Sequence, residues 1–511
     1  MLHSAWLITL LLLLSITLEA QPQGDSYQEP YRPQFHFTPE KNWMNDPNGL
    51  VYYKGEYHLF YQYNPFGNSW GHMSWGHAVS TDLVHWKHLP VALAEENGVM
   101  IFSGSAVVDW NNTSGLCKSS DPKDKSCLIA IYTGHTNTNQ SQHIAVSNDR
   151  GRTWTKFAGN PVIDIGDKDF RDPKVFWHEA TKHWVMVVVL SKEQKARFYS
   201  SQDLKKWELL SEFGPAGVTG KEVLWECPDL FELPIEGQPA KKRWVLIVNI
   251  NPGGIAGGSG GQYFVGNFDG KTFTNDNLAD TKLFVDYGKD FYAAVSFSDL
   301  PKIDGRRILL GWMSNWQYAG KEPTSPWRTA QSIPRELRLK KTSAGLRLVQ
   351  KPIAELSKLR GEVITKRNLN LRNGKAQLIA SGEALEISGE FTVEKDSVAT
   401  IRLHAGSSVT SIGYDAATSK LFIDRTQSGQ VEFDPKFAGR HEASLQPQQG
   451  KVKLHVFMDR SSVEVFGSDG EVVLTDRIFP ASNTQQIQLQ GTGTNTKCLS
   501  LNIWQLKSAW R

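Results

Sequence analysis

This 511-residue chain has little net charge, few cysteines and only one long apolar run. Its formal charge of +3 provides no basic surface of the kind that attracts nucleic acids or anionic lipids. We therefore expect no nucleic-acid partner. The length itself is sufficient for two to four domains with substantial hydrophobic cores.

The single apolar run lies at the N-terminus, where residues 4–18 carry no charge. It is short for a membrane-spanning helix and typical of a secretory signal peptide, although Lys and Arg are missing before it and Leu18 is large for a cleavage site. The sequence predicts a signal peptide over residues 1–20. We expect a secreted protein with no stable membrane insertion once this segment is removed.

The four cysteines are compatible with export. Cys117 and Cys127 flank the polar loop "CKSSDPKDKSC" and could close it as a disulfide. Cys227 and Cys498 lie far along the chain from any partner, so free buried thiols are the simpler expectation for both.

Long runs with helical periodicity are also missing. The chain instead contains strand-like segments such as "GLVYYKGEYHLFYQY", "CLIAIYTGH", "HWVMVVVL" and "KRWVLIVNI". These segments are rich in β-branched and aromatic residues and are separated by turn residues. The sequence predicts an all-β protein.

A weak internal repeat refines this prediction. A polar turn followed by an aromatic residue ends at Trp86, Trp154, Trp207 and Phe273, and the intervals between these positions are similar in length. Such recurring intervals are typical of four-stranded blades arranged around an axis. The segment 290–316 contains the strands of a fifth unit. We predict a five-bladed β-propeller over residues 21–345, with a sandwich of hairpins as the alternative.

The remaining chain has a different character. Residues 346–360 resemble a linker with one or two helical turns, and residues 361–511 alternate short strands with Gly, Asp and Asn turns. This pattern predicts a C-terminal β-sandwich. It could cover one side of the propeller, bind carbohydrate or form a dimer contact.

An acidic residue recurs ahead of three of the repeats. Asp46 in "WMNDPNG", Asp172 in "FRDPKVFW" and Glu226 in "WECPDLFEL" all precede the aromatic residue that closes their unit by a similar length of chain. Alone, "WMNDPNG" is typical of a turn. Matching positions in three blades instead predict three carboxyl groups in one axial funnel. Repulsion between crowded carboxyl groups raises the pKa of some and leaves the pKa of others low. One group can then hold its proton while another stays ionised, and glycosidic cleavage requires such an acid and such a carboxylate.

Several motifs in order resemble glycoside hydrolase family 32, the β-fructofuranosidases, and most of all its exo-acting fructan hydrolases of the levanase and exo-inulinase type. The stretches that carry the resemblance are "WMNDPNG", "FSGS" at 102–105, "RDP" at 171–173, "WECPD" at 225–229, and 290–337. The resemblance implies a secreted retaining enzyme that releases terminal β-D-fructose from levan, inulin or sucrose through a covalent fructosyl-enzyme.

The resemblance also implies roles for individual residues. Asp46 would be the nucleophile, Glu226 the general acid and base, and Asp172 the transition-state stabiliser. Residues implied to bind the terminal fructose are Asn45, Gln62, Trp70, Phe102, Ser103, Arg171 and Trp327.

No metal or organic cofactor is implied. "HEATKH" at 178–183 has one residue too many between its histidines for a zinc-protease motif. Val265 replaces the first glycine that a phosphate loop would need before "GKT".

Two alternatives stay open at this point: an invertase that prefers sucrose, and a catalytically silent propeller lectin that only binds fructans. Fructosyl transfer to another sugar would be a side reaction. The sequence leaves the choice among levan, inulin and sucrose open, and also the oligomeric state.

Overall fold

The computed structural model describes residues 27–118, 123–371 and 374–510, so the predicted signal peptide lies outside the described residues. Within these ranges the protein consists of β-strands and three short 3-10 helices, at Ala319–Lys321, Ala354–Leu359 and Ser468–Gly470. The all-β prediction is confirmed. Across the same ranges, no helix has the length and apolar character needed to cross a membrane.

The N-terminal part contains five successive groups of strands. In each of the first four, consecutive strands pair antiparallel: β1 (Asn42–Tyr53), β2 (Glu56–Asn64), β3 (Ser74–Ser80) and β4 (Trp86–Leu93); β5 (Met100–Asp109), β6 (Cys127–His135), β7 (Gln140–Ser147) and β8 (Thr155–Lys156); β9 (Phe170–His178), β10 (His183–Leu190), β11 (Lys195–Ser201) and β12 (Glu208–Phe213); β13 (Leu224–Ile235), β14 (Gln238–Asn251), β15 (Gly260–Phe268) and β16 (Phe273–Asn275). The fifth group comprises β17 (Tyr292–Ser296), β18 (Ile308–Met313), β19 (Trp327–Arg328), β20 (Ala330–Gln331), β21 (Arg335–Thr342) and β22 (Gly345–Pro352).

The first strands of the five groups contact one another in a closed order. β1 contacts β5, β5 contacts β9, β9 contacts β13, β13 contacts β17, and β17 returns to β1. The short strand β19 pairs in parallel with β1 and so connects the last group to the first. The first strands therefore lie together at the centre of this part of the molecule.

The repeated turn motif occupies the same place in four groups, between the third and fourth strands. Asp82, Asp149, Asp203 and Asp269 each accept backbone N–H bonds within their turn. In the first three groups the tryptophan that follows donates its indole N–H to a carbonyl of the same turn, over 3.1 Å in each case. The spacing used to align the sequence repeats thus marks equivalent structural positions.

The C-terminal part consists of two six-stranded sheets. One has the order β23 (Arg360–Asn370), β34 (Lys497–Leu506), β25 (Leu385–Thr392), β30 (Lys451–Asp459), β31 (Ser462–Gly467) and β32 (Val472–Arg477). The other has the order β24 (Gln377–Gly382), β33 (Gln485–Gly491), β26 (Val398–Ala405), β27 (Ser408–Asp415), β28 (Lys420–Gln427) and β29 (Arg440–Ser444). Apolar side chains from both sheets share one core, as in a β-sandwich.

Part of the segment predicted as a linker is instead a strand. Residues 345–352 form β22, which pairs with β21 along its whole length. Leu348 packs in the same cluster as Leu337 and Leu339, and the buried Gln350 accepts a bond from Arg335. The buried residues Leu348, Val349 and Gln350 are consecutive and one of them is polar, so burial in this strand does not follow an apolar–polar alternation. The 3-10 helix at Ala354–Leu359 accounts for the helical turns that the sequence predicts.

Buried ion pairs join the two parts. His36 contacts Asp459 through Nδ1 at 2.8 Å and Glu464 through Nε2 at 2.9 Å. Arg335 pairs with Asp286 at 2.8 Å and also contacts Glu464. Moving the two parts apart would leave these buried charges without their partners, which is energetically unfavourable. The ion pairs therefore hold the two parts in one arrangement.

The cysteine predictions are also confirmed. Cys117 and Cys127 form a disulfide that closes the loop between β5 and β6. Cys227 and Cys498 are free and buried.

Candidate active site

One pocket brings together nine of the ten site residues predicted from sequence. It has a volume of about 250 Å³. Its lining comprises Asn45, Asp46, Gln62, Trp70, Phe102, Ser103, Arg171, Asp172, Glu226 and Trp316. Asp46 lies on β1, Asp172 on β9 and Glu226 on β13, so the three carboxyl groups come from three different first strands.

A bulge near the start of each first strand positions these side chains. In every group, two residues of the first strand oppose one residue of the second. The bulged pairs are Asn45–Asp46, Phe102–Ser103, Asp172–Pro173, Cys227–Pro228 and Ala293–Ala294. Bulges bend a strand and redirect side chains, which explains why functional groups concentrate at this level.

Three of the five bulges contain strained backbone. The φ angles are 67° for Asp172, 43° for Cys227 and 51° for Ala293. All three lie in the left-handed region that non-glycine residues rarely adopt. Pro173 follows Asp172 and Pro228 follows Cys227 in the bulge, where no ladder bond has to be donated. The surrounding structure holds this strain, as is common at functional sites.

Asp46 is a buried carboxyl group with three hydrogen-bond donors. Ser103 Oγ donates to Oδ2 over 2.6 Å, Cys227 Sγ lies 3.4 Å from the same oxygen, and Asn45 Nδ2 donates to Oδ1 over 3.1 Å. Burial raises the pKa of Asp46, and the nearby Glu226 charge adds to this, whereas the three donors oppose it. The donors also fix the direction of the carboxylate.

Glu226 is held from both sides. Arg171 Nε donates to Oε1 over 3.1 Å, and the Tyr292 hydroxyl donates to Oε2. Arg171 is itself positioned by Ser191 Oγ at 2.7 Å and by Gln140 Oε1 at 3.3 Å. The Arg171 guanidinium group is therefore held in place and fixes the orientation of the Glu226 carboxyl group.

Asp172 interacts electrostatically with both of the other carboxyl groups. Its Oδ2 accepts the backbone N–H of Cys227 over 2.9 Å, and its own N–H donates to Thr133 Oγ1 over 2.9 Å. Burial raises the pKa of Asp172 to about 7; the Arg171 charge opposes this rise, and Glu226 and Asp46 contribute to it. The ionisation of Asp172 is therefore linked to the charges of its neighbours.

Trp327 is the one predicted site residue that does not line the pocket. It is fully buried, and the guanidinium groups of Arg32 and Arg477 lie 4.7 and 5.7 Å from its ring. The pocket wall contains Trp316 instead, which stacks on Trp43 with ring centroids 5.9 Å apart. β19 pairs with β1 at Asn42 and Trp43. The Trp327 side chain packs in a buried cluster with Tyr31, Tyr318, Phe437 and Phe479.

Sequence reasoning did not single out Trp316 or Cys227. Cys227 belongs to "WECPD" and Trp316 to "SNW" in the stretch 290–337, and both stretches carry the resemblance. The motifs therefore contained the signal, but a motif does not say which of its aromatic rings faces a ligand.

Comparison with known sequences decides the family. The profile of the glycosyl hydrolases family 32 N-terminal domain matches residues 36–352, and that of the family 32 C-terminal domain matches residues 355–505. The chain belongs to glycosyl hydrolase family 32. The resemblance inferred from the motifs is confirmed, and family 32 membership makes this protein a glycoside hydrolase.

Relatives within family 32 match almost the whole chain. A levanase of Bacillus subtilis is 53% identical over 511 residues, which cover 99% of this chain and 74% of the relative. An extracellular exo-inulinase of Aspergillus awamori is 43% identical and covers 95% of this chain and 96% of the relative.

Solved structures agree with these matches. The crystal structure of the Aspergillus awamori exo-inulinase superposes with a TM-score of 0.87 at 41% identity and covers 95% of this chain and 100% of that one. The structure of a β-fructofuranosidase of Schwanniomyces occidentalis complexed with fructosyl-erythritol superposes with a TM-score of 0.86 at 38% identity. This match covers 94% of this chain and 99% of that one. Family 32 membership implies the β-propeller that the sequence predicts for the N-terminal part.

Proposed function

We propose that this family 32 enzyme is a secreted exo-β-fructosidase that releases terminal β-D-fructose from levan, inulin and sucrose. The observation that carries this proposal is the meeting of Asp46, Asp172 and Glu226 in one pocket, each from a different first strand. Relatives named levanase and exo-inulinase support the choice of substrate.

Asp46 and Glu226 divide the first chemical step. The Asp46 carboxylate attacks the anomeric carbon of the terminal fructose, while Glu226 gives a proton to the departing glycosidic oxygen. One carbon–oxygen bond forms as the other breaks, which leaves a fructosyl ester on Asp46 and a free leaving sugar. Ser103 and Asn45 orient the attacking carboxylate.

Water completes the cycle. Glu226, now ionised, takes a proton from water as the water oxygen attacks the anomeric carbon and releases Asp46. Two successive displacements retain the β configuration. Asp172 accepts hydrogen bonds from the ring hydroxyls and stabilises the positive charge that develops in each transition state.

The size of the pocket supports exo-attack. Its volume is about 250 Å³. This is smaller than the pockets that typically hold drug-sized ligands, so it suits a single sugar ring. Trp70, Phe102 and Trp316 offer aromatic faces, and Asn45, Gln62 and Arg171 offer polar groups for hydroxyls. A chain end fits such a pocket better than the middle of a polymer.

We also propose the architecture around this site. The five groups of strands are five blades, and the boundary between propeller and sandwich lies near residues 353–359, between β22 and β23. The signal peptide predicted over residues 1–20 and the relatives named extracellular exo-inulinases support secretion.

Hydrolysis by purified protein tests the proposal. We expect fructose to be the early product from sucrose, inulin and levan, and proton NMR should detect the β anomer first. Release of long fragments would contradict exo-attack, and α-fructose as first product would contradict retention. Fructan binding without any release would leave the lectin alternative. Activity confined to sucrose would identify an invertase, and accumulation of longer oligosaccharides would reveal fructosyl transfer.

A further inference from the structure

A second cleft lies away from the active site, toward the opposite ends of the first strands. It has a volume of about 660 Å³ and is lined by the end of β9, the middle of β13 and the segment that follows β17. Trp177 on its wall lies five residues beyond Asp172 along β9. Five residues of extended strand span about 16 Å. The cleft is therefore separate from the catalytic pocket.

Aromatic side chains form much of the wall. They are Phe176, Trp177, Trp184, Phe231, Trp244 and Phe268. Trp177 and Trp244 are half-buried, so part of each indole is open to the cleft. Trp177 packs edge-to-face on Trp184 with centroids 5.3 Å apart, and Trp244 packs edge-to-face on Phe268 at the same distance. Both indoles are fixed before any ligand arrives.

The charged groups of the cleft indicate the kind of ligand. The lining contains four acidic and three basic side chains: Glu179, Glu232, Asp269, Asp299, Lys174, Lys302 and Arg307. Charges of both signs in one cleft do not select an anion or a cation. Fixed aromatic faces with polar groups of both kinds suit a neutral ligand rich in hydroxyls.

We propose that this cleft is a second carbohydrate site that binds an internal segment of a fructan chain. The proposal rests on the function proposed above, because it takes the polymer from that reaction. A chain held at the cleft keeps its ends close to the enzyme, which raises the effective concentration of ends at the catalytic pocket. Sucrose spans only one site and gains nothing from the cleft.

Kinetics on long and short substrates test this inference. In Trp177→Ala/Trp244→Ala, we expect KM for high-molecular-weight levan to rise about two- to tenfold, the factor that a lost aromatic contact of about 0.5–1.5 kcal/mol corresponds to. KM and kcat for sucrose should stay unchanged, which also shows that the variant is folded. Trp504→Ala is the matched control, because Trp504 is another half-buried indole but lies on β34 of the sandwich.

Binding without turnover gives an independent measure. Glu226→Gln should migrate more slowly in a native gel that contains levan than in a plain gel. Adding Trp177→Ala and Trp244→Ala to this background should remove most of the retardation, whereas adding Trp504→Ala should not. Trp177→Phe, which keeps an aromatic ring, should retain most of it.

Failure of the cleft and failure of the proposed function are distinguishable. An unchanged levan KM in the double variant, or equal retardation with and without the two indoles, overturns the second site. If the unaltered protein releases no fructose from sucrose, the proposed function fails instead. The gel comparison then still reports whether the cleft binds a fructan.

Discussion

Ser103 Oγ donates a 2.6 Å hydrogen bond to Oδ2 of Asp46 and thereby joins the bulge of β5 to the bulge of β1. This bond favours the ionised form of Asp46, whereas burial, together with the Glu226 charge, favours the protonated form. The balance between these effects sets the pH at which the nucleophile becomes available.

Ser103→Ala should shift the acid limb of the kcat/KM profile to higher pH. The substitution removes a donor that lowers the pKa of Asp46, so the carboxylate protonates at a higher pH and activity is lost earlier on acidification. A hydrogen bond to a charged group contributes about 1.5–3 kcal/mol, so we expect kcat/KM on the acid side to fall roughly tenfold or more. Initial rates on sucrose across the pH range measure this.

Ser105→Ala is the matched control for that profile. Ser105 lies two residues further along β5 and donates to the carbonyl of Pro173, not to a carboxylate. Its removal should leave the acid limb in place. Because the site contains interacting carboxyl groups, the limbs report macroscopic values. An acid limb that shifts equally in both variants would contradict the role of Ser103.

Glu226→Gln and Asp46→Asn should fail at different steps. Each should lower kcat on sucrose by at least about 10²- to 10⁴-fold, the usual contribution of acid–base catalysis, without much loss of folding. With β-D-fructofuranosyl fluoride, whose leaving group needs no proton, Glu226→Gln should release a burst of fluoride stoichiometric with enzyme. Asp46→Asn should give no burst, because it cannot form the ester.

An exposed glutamate provides the control for this comparison. Glu222 lies just before β13, and Glu222→Gln should keep normal rates on both substrates. A fluoride burst from Asp46→Asn, or none from Glu226→Gln, would reverse the two assignments.

Trp316→Ala and Trp327→Phe should separate binding from stability. Trp316 lines the pocket, so its loss should raise KM for sucrose by about two- to tenfold. Trp327 is buried away from the pocket lining, so Trp327→Phe should lower the melting temperature and leave KM unchanged. Michaelis kinetics together with calorimetry measure both. A raised KM in Trp327→Phe alone would return that residue to the substrate site.

His36→Gln should destabilise the protein most under mildly acidic conditions. Burial alone would lower the pKa of His36, but hydrogen bonds with Asp459 and Glu464 outweigh it and raise the pKa, while the pKa values of both carboxyl groups are lowered. The stabilising charge on His36 is complete below its ordinary pKa of 6.5 and is lost as pH rises through the raised value.

The stability difference between the unaltered protein and His36→Gln should therefore be larger at pH 5.5 than at pH 9. Breaking a buried pair costs about 3–5 kcal/mol. Thermal unfolding at both pH values measures it. His85→Gln is the control, since the His85–Asp82 pair is half-exposed and such pairs contribute little. An equal loss at both pH values would show that His36 acts through packing alone.

The sequence predicts much of the fold because the signals involved are local. Alternating apolar residues specify strands, and the turns closed by Trp86, Trp154 and Trp207 satisfy their own hydrogen bonds within a few residues. β22 was missed because its buried residues, Leu348 to Gln350, are consecutive and include a polar one, and because the strand depends on pairing with β21. Pairing between segments that are distant along the chain is not visible in the residue pattern of one short segment.

For the site, the sequence by itself determined which chemical groups are available and where they lie in the repeats. Asp46, Asp172 and Glu226 each precede one of three aligned turns. Only the tertiary structure decided which aromatic ring faces the pocket, Trp316 and not Trp327, and which donors hold each carboxyl group. The reason is physical. The direction of a side chain follows from bulges and from pairing between strands that are far apart in the chain. How deeply it is buried depends on all the strands that surround it.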